Sequence, residues 1–140
     1  MELVEVDTNK VNHIRHLYII LTKRKFNISH NYKTNYKNHK EFVQNHPYRF
    51  WYLILEKENY IGVVYLTNQN VVGINTIKSS KKLYLNALKT IIKMHRPLEP
   101  IKSVRSKFFT INVNPENLIL IEAIKLLNLS HIQNTYIFKN

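Results

Sequence analysis

Four consecutive elements are predicted between residues 108 and 138, and this stretch restricts the fold of the chain more than any other. Phe109, Ile111 and Val113 alternate with polar residues, which is the period of a strand with one buried face. The pair Asn114-Pro115 then predicts a turn, because proline cannot donate to the hydrogen-bond ladder of a strand. We therefore expect a strand that ends close to Asn114.

A helix is predicted immediately after this turn. Asn117 is placed to cap it, and residues 118–127 are apolar except for one acidic and one basic residue, three positions apart. A polar stripe this narrow predicts that the fold encloses most of the helix. Asn128 is a residue type that ends helices in the left-handed conformation, and residues 132–138 are predicted to form a last strand.

The residues before this stretch predict a strand, two helices, a three-strand antiparallel meander and a further helix. Their predicted ranges are 3–6, 11–21, 37–45, 50–55, 60–66, 71–77 and 82–95. Gly62 lies inside the second strand of the meander, where a missing side chain predicts a bulge or a close approach. The order β-α-α-β-β-β-α-β-α-β predicts a single α+β domain over residues 1–140, with a mixed, mainly antiparallel sheet flanked by helices.

Composition narrows the classes of function. The 140 residues are 44% hydrophobic, which is enough for one core. Without cysteine the chain has no thiolate nucleophile and no cysteine-based metal site. The formal charge of +12 indicates attraction to polyanions or to small anionic ligands. An AT-rich coding sequence would also enrich lysine, so the excess of positive charge has a second explanation.

Several other kinds of functional site are excluded because the sequence lacks their motifs. The seven histidines have no converging carboxylate set, so we predict no metal site. The chain lacks a phosphate-binding P-loop, a dinucleotide fingerprint and a nucleophile elbow. It has no signal-peptide pattern and no run near the roughly 18 apolar residues of a membrane span, so we expect a cytoplasmic protein without a membrane partner.

The sequence Asn114-Pro-Glu-Asn117, followed by Lys-Leu-Leu-Asn-Leu at 125–129, resembles the C-terminal motif of GNAT-type N-acetyltransferases. In that family a strand runs into V-N-P-x-N, a helix ends in K-L-G-F and a strand closes the domain. Here Asn128 replaces the glycine and Leu129 the phenylalanine. Residues 39–52, 60–66 and 134–136 resemble members that acylate amino groups of nucleotide sugars.

The resemblance implies a coenzyme site between the fourth and fifth strands. The pantetheine arm of acetyl-CoA would pair with the fourth strand at Ile74, Asn75 and Thr76, and its pyrophosphate would bind at the start of the next helix. The residues implied there are Lys78, Ser79, Ser80, Lys81 and Lys82. The family's glycine motif is absent from this loop, so its side chains replace the glycines or coenzyme binding has been lost. Asn114 and Asn117 are implied contacts of coenzyme or substrate, although a capping role alone would explain Asn117.

The catalytic acid of the family is also replaced. Many members use a tyrosine in the helix after the N-P-x-N turn, and Ile124 stands at about that position. Tyr136 and Tyr65 are the alternative proton donors, and His46, with Glu56 and His95, is a candidate base. Each of these titratable residues also fits an ordinary surface or turn role.

Two functions from different classes follow. The first is acetyl-CoA-dependent N-acetylation of a small-molecule primary amine, with a nucleotide-linked amino sugar as the favoured acceptor. The second is a catalytically inactive GNAT-like module that binds nucleic acid or another polyanion through basic residues at 78–82 and 96–107. The resemblance also implies a homodimer that buries an edge strand.

Overall fold

A computed structural model describes residues 1–26 and 34–139, which form an α+β fold with four helices and a five-stranded sheet. The strands are β1 Glu2–Glu5, β2 Phe50–Glu56, β3 Asn59–Leu66, β4 Val71–Thr76 and β5 Thr110–Ile111. The helices are α1 Val11–Lys23, α2 Tyr36–Gln44, α3 Lys81–Met94 and α4 Leu118–Leu126. The predicted helices and the predicted strands up to β5 are therefore present, with small shifts at most ends. The strand expected to end close to Asn114 is shorter than predicted, because β5 has two residues and ends at Ile111.

The sheet is mixed. Its strand order is β1-β2-β3-β4-β5, in which the first four strands pair antiparallel and β4 pairs with β5 in parallel. The predicted meander is β2, β3 and β4. The register of β2 against β3 shifts between Ile54 and Leu55, opposite Gly62. A Cβ on Gly62 would lie 2.6 Å from the carbonyl oxygen of Asn75, so both the bulge and the close approach predicted there are confirmed.

Each face of the sheet carries its own core. Helices α3 and α4 cover one face, where Ile54, Val64 and Ile74 are buried. Helices α1 and α2 cover the other face, where buried residues include Trp51, Leu53 and Val63. Successive side chains of a strand point to opposite faces of the sheet, and helices cover both faces. Both sets of side chains in the central strands are therefore apolar, which explains their nearly continuous hydrophobic sequence.

The segment 96–107 is attached to the sheet by Asn70. This residue is fully buried in the turn between β3 and β4, in the left-handed conformation with a φ of 62°. Its side-chain amide donates to the carbonyl oxygens of Leu98 and Ser106 at 2.8 and 2.9 Å, and its Oδ1 accepts from the Leu98 N–H at 2.8 Å. Both N–H groups of the buried Asn70 amide are therefore hydrogen-bonded, as buried polar groups usually are.

The predicted last strand is wrong. Residues 129–139 form no regular secondary structure, and exposure reaches 75% at Ile132 and 98% at Phe138. A strand needs a paired neighbour, and no described strand pairs with the outer edge of β5. Enclosure of α4 was also predicted wrongly, because Leu118 and Leu126 are 65% and 61% exposed.

The residues that begin and end α4 agree with the prediction from sequence. Asn117 caps the helix, its Oδ1 accepting from the Leu120 N–H at 3.2 Å, and Asn128 has a φ of 55°. Both were predicted from residue type. In the part of the chain that the structure describes, no helix has the length and apolar composition needed to cross a bilayer.

Candidate functional site

Strands β4 and β5 pair over two residues and then separate. Val71 lies opposite Thr110 and Val72 opposite Ile111, and β4 continues to Thr76 without a further partner on that side among the described strands. Beyond Val72 this edge of β4 has no strand partner among the described strands, and we call this unpaired edge the opening. The opening begins at Gly73.

The backbone of β4 faces this opening at alternate residues. The Val71 carbonyl accepts from Thr67 and the Ile77 N–H donates to Ile61, so the odd-numbered residues bond towards β3. The Asn70 carbonyl accepts from the Thr110 N–H, on the β5 side. The backbone groups of Ile74 and Thr76 therefore point towards the opening, while their side chains are buried on the α3 face. Asn75 is half-buried on the other face.

Tyr65 lies where the two strands begin to separate. Trp51, Tyr65 and Gly73 are directly opposite one another on β2, β3 and β4. The Tyr65 ring covers Gly73 so closely that a Cβ there would overlap its Cζ and its hydroxyl oxygen. Gly73 thus creates the space that Tyr65 occupies, and the phenol is held beside the first unpaired residues of β4.

Tyr65 belongs to an aromatic cluster that also includes the predicted His46. Tyr48 stacks on Tyr65 with centroids 4.2 Å apart, and the His46 ring lies 5.6 Å from Tyr48 and 5.1 Å from Trp51. Burial raises the pKa of Tyr65, and the nearby positive charge of Arg24 opposes that shift. Burial likewise raises the pKa of Tyr48. Both phenols are consequently protonated at neutral pH.

The tautomer of His46 follows from its hydrogen bond. Its Nδ1 accepts from the Tyr48 N–H at 3.1 Å, so the proton of the neutral ring lies on Nε2. Burial lowers the pKa of His46, which favours that neutral form. In this arrangement Nε2 is a donor, and His46 can act as a base only through Nδ1, after releasing Tyr48.

The start of α3 carries the predicted pyrophosphate residues, but several already have structural roles. Ser80 is the N-cap and accepts from the Leu83 N–H at 3.3 Å. Ser79 accepts from the Tyr84 hydroxyl at 3.5 Å, and Lys81 pairs with Glu122 on α4 at 3.4 Å. The remaining members of the predicted set, Lys78 and Lys82, are exposed.

The turn before α4 is held by its own asparagines. Asn114 accepts from the Glu116 N–H at 2.9 Å through Oδ1, and its carbonyl accepts from the Asn117 N–H at 2.9 Å. Asn117 is 7% exposed and caps α4. Ile124 packs against the core under α4, so this helix supplies no acid at that position.

Three other predicted residues lie apart from this cluster. Tyr136 is 85% exposed on the segment 129–139 and is not brought to Tyr65. His95 bonds the Tyr52 hydroxyl at 2.8 Å and stacks on Phe50 at 4.0 Å, which fixes the end of α3 to β2. Glu56 is exposed at the turn between β2 and β3.

Sequence reasoning missed Tyr48, Arg24 and Gly73. Gly73 had the clearest signal, since it is one of two glycines in the chain and lies inside a predicted strand. Tyr48 follows Pro47, between the predicted helix 37–45 and the predicted strand 50–55. Arg24 follows the predicted helix 11–21, where a cation fits both the helix dipole and an anion site.

Comparison with protein-family models, with curated proteins and with solved structures gave no match to this chain.

Proposed function

We propose that this chain is a GNAT-type N-acetyltransferase, which transfers an acetyl group from acetyl-CoA to a primary amine. The observation that carries the proposal is the separation of the parallel strands β4 and β5 beside the Tyr65 hydroxyl. An opening of this kind offers unpaired strand backbone to an extended ligand and a proton donor to its reacting end. A nucleotide-linked amino sugar is the favoured acceptor.

The coenzyme would be held mainly by backbone. Its amide-containing arm pairs with the groups of Ile74 and Thr76 that face the opening, as an added strand would. Its phosphates meet the free N–H groups at the start of α3, together with the side chains of Lys78 and Lys82. These lysines take the place of the glycines that the family uses at this point.

The reaction forms one bond and breaks another. The amine nitrogen attacks the thioester carbonyl, the tetrahedral adduct collapses with cleavage of the C–S bond, and the departing thiolate takes a proton. Tyr65 is the donor that the geometry favours, because burial keeps its hydroxyl protonated at the edge of the opening. The amine must lose its ammonium proton before it attacks, and the adduct nitrogen loses a second proton as the amide forms; His46 through Nδ1 or water accepts these protons.

The acceptor would bind on the α1 and α2 face. Phe42 is 44% exposed and lies 5.9 Å from Tyr48 and 6.0 Å from Trp51, measured between ring centroids. The exposed Phe42 ring, with the Arg24 charge near Tyr48, suits an aromatic base attached to phosphate. The net charge of +12 favours two anionic ligands.

Thermal unfolding with acetyl-CoA tests the proposal. A tenfold excess of coenzyme over its dissociation constant should stabilise the protein by about 1.4 kcal/mol. Lys78→Glu with Lys82→Glu should reduce this stabilisation. Lys89→Glu with Lys93→Glu makes the same charge change further along α3 and should preserve it. Equal loss in both variants, or no response of the unaltered chain, would contradict the proposed site.

A second function is favoured by the surface of the segment 96–107. Arg105 donates to the carbonyl oxygens of Glu99 and Asn68, while Lys102 and Lys107 are exposed. Lys107 Nζ lies 5.9 Å from the centre of the exposed Phe108 ring. Cations beside an exposed ring suit single-stranded nucleic acid. Salt-dependent retention on nucleic acid, with no response to acetyl-CoA, would favour this alternative.

A further inference from the structure

A cavity of about 720 Å³ lies at the C-terminal end of α3, beside the segment 96–107 and the residue before β5. Its volume is within the range of roughly 300–1,000 Å³ found for small-molecule sites. We call it the α3-end cavity. Its apolar lining includes Ile92, Leu98 and Phe109, and its charged lining includes Arg96, Glu99 and Lys107. The cavity can therefore hold a small organic ligand that has both an apolar part and a charged part.

Hydrogen bonds from the rest of the fold hold the walls of the α3-end cavity in place. The buried Asn70 side chain bonds to the Leu98 N–H and carbonyl and to the Ser106 carbonyl, so both ends of the segment are fixed to the sheet. Arg49 Nη1 donates to the Arg96 carbonyl at 2.9 Å. Because the walls are already positioned, little conformational entropy is lost when a ligand enters.

The charge around the α3-end cavity is positive. The segment 96–107 has four cations, Arg96, Lys102, Arg105 and Lys107, and one carboxylate, Glu99, which gives a formal charge of +3. Arg105 is used to hold backbone, since it donates to the Glu99 carbonyl. In the part of the chain that the structure describes, the charged lining residues Arg96, Glu99 and Lys107 form no ion pair. Their charges are therefore available to a ligand, and the excess of cations favours an anion.

The mixed lining indicates which anion fits. The apolar side chains, among them the Phe109 ring, suit the face of an aromatic base. Arg96 and Lys107 suit a phosphate group, and the Glu99 carboxylate accepts hydrogen bonds from sugar hydroxyls or base amino groups. A nucleoside monophosphate combines these three kinds of group in one small molecule. We propose that the α3-end cavity binds a nucleoside monophosphate.

The α3-end cavity is separate from the proposed coenzyme site. Helix α3 has 14 residues, so its two ends lie about 21 Å apart. The coenzyme phosphates are proposed to bind at the start of α3, and the cavity lies at its end. The opening along β4 runs from Gly73 to Thr76, away from Asn70, to which the cavity wall is bonded. The inference therefore does not depend on the proposed acetyl transfer.

Isothermal titration calorimetry tests the ligand class. Adenosine monophosphate is the probe, and adenosine and inorganic phosphate represent its two parts. The dissociation constant of adenosine monophosphate should be at least tenfold lower than that of either part, because only the whole molecule contacts both the apolar and the cationic lining. No binding of adenosine monophosphate, or equally tight binding of adenosine, would overturn the proposal. Binding of a short single-stranded oligonucleotide without binding of the mononucleotide would overturn it as well, and would assign these cations to a nucleic-acid surface.

Charge reversal tests the cations of the cavity. Arg96→Glu with Lys107→Glu should raise the dissociation constant of adenosine monophosphate at least tenfold. Lys89→Glu with Lys93→Glu makes the same charge change at exposed positions of α3 outside the cavity lining and should alter that constant less than threefold. Equal weakening by both pairs would show that net charge alone attracts the nucleotide, which would overturn the proposed site.

Nitrogen-15 NMR locates the bound nucleotide. The amide signals of Ile92, Leu98 and Phe109, which come from separate parts of the cavity wall, should shift together as adenosine monophosphate is added. Shifts confined to β4 and the start of α3 would place the nucleotide in the proposed coenzyme site and would overturn this inference. Because the two sets of signals belong to different ends of α3, failure of one proposed site is distinguishable from failure of the other.

Discussion

The Tyr65 ring lies directly over the backbone of Gly73, at the residue where β4 loses its pairing with β5. The nearest atoms that a Cβ on Gly73 would meet all belong to the end of the Tyr65 side chain. Gly62 differs, because its nearest neighbour is a backbone oxygen, Asn75 O. The two glycines therefore permit two kinds of packing, one with a side chain and one with backbone.

Gly73→Ala should destabilise the protein by about 1–3 kcal/mol, because the new methyl group occupies the space of the Tyr65 ring. The cost should disappear in a Tyr65→Ala background. There the same substitution should be neutral or stabilise by about 0.5 kcal/mol, since Gly73 has no positive φ and alanine restricts the unfolded chain. Urea denaturation of the four proteins measures the coupling energy. Additive effects would contradict the packing described.

Tyr65→Phe should lower the rate of acetyl transfer by about 10²–10⁴-fold while coenzyme binding is retained, because only the proton donor is lost. Tyr60→Phe provides the matched control on the same strand, where the hydroxyl contacts His13 Nε2 at 3.4 Å. Its rate should stay close to that of the unaltered enzyme. Steady-state kinetics with a primary-amine acceptor would show whether the two tyrosines differ, and equal rates would remove Tyr65 from the mechanism.

Asn70→Asp should destabilise the protein by about 2–4 kcal/mol at neutral pH. Aspartate keeps the shape and tolerates the left-handed conformation, but its oxygen would face the carbonyls of Leu98 and Ser106 in place of a donor. Asn68→Asp, in an exposed position of the same turn, should change stability by less than about 0.5 kcal/mol. Chemical denaturation gives both values, and similar costs at the two positions would show that the buried hydrogen bonds contribute little.

The main elements could be predicted from sequence because each has a local cause. Apolar periodicity predicted the helices, the meander and the strand at β5, and residue type predicted the cap Asn117 and the stop at Asn128. Whether residues 132–138 form a strand could not be predicted from the local sequence alone. Its sequence has strand propensity, but a strand also needs a paired neighbour, and none of the described strands pairs with residues 132–138.

The candidate site was predictable only in part. Ile74, Asn75 and Thr76 were named through the family resemblance as coenzyme contacts, which stays a prediction; the register leaves the β4 edge beyond Val72 without a described strand partner. The cluster around Tyr65 brings together residues from three separate segments, whose packing no local pattern contains. Tyr48 and Gly73 were missed for that reason.

Stability should fall as the pH drops below the ordinary histidine value of 6.5. Burial lowers the pKa of His13, His39, His46 and His95, so the folded chain binds fewer protons than the unfolded chain in that range. The stabilisation is complete above 6.5 and is lost towards acid. His39→Leu should make this decline shallower, because His39 is 4% exposed and its Nε2 has no hydrogen-bond partner.

His131→Leu is the control for the pH experiment, since His131 lies on the exposed segment 129–139. The pH profile of its unfolding free energy should match that of the unaltered chain. Denaturant titrations at several pH values between 5 and 8 compare the three proteins. A His39→Leu profile as steep as that of the unaltered chain would show that proton uptake by His39 is not linked to unfolding.

The backbone amides of β4 provide the most direct measurement of the central claim, that the opening between β4 and β5 receives acetyl-CoA. In a nitrogen-15 NMR titration, the amide signals of Ile74 and Thr76 should shift and saturate together with those at the start of α3. Unchanged β4 signals at saturating coenzyme, or shifts confined to residues 96–107, would contradict the account.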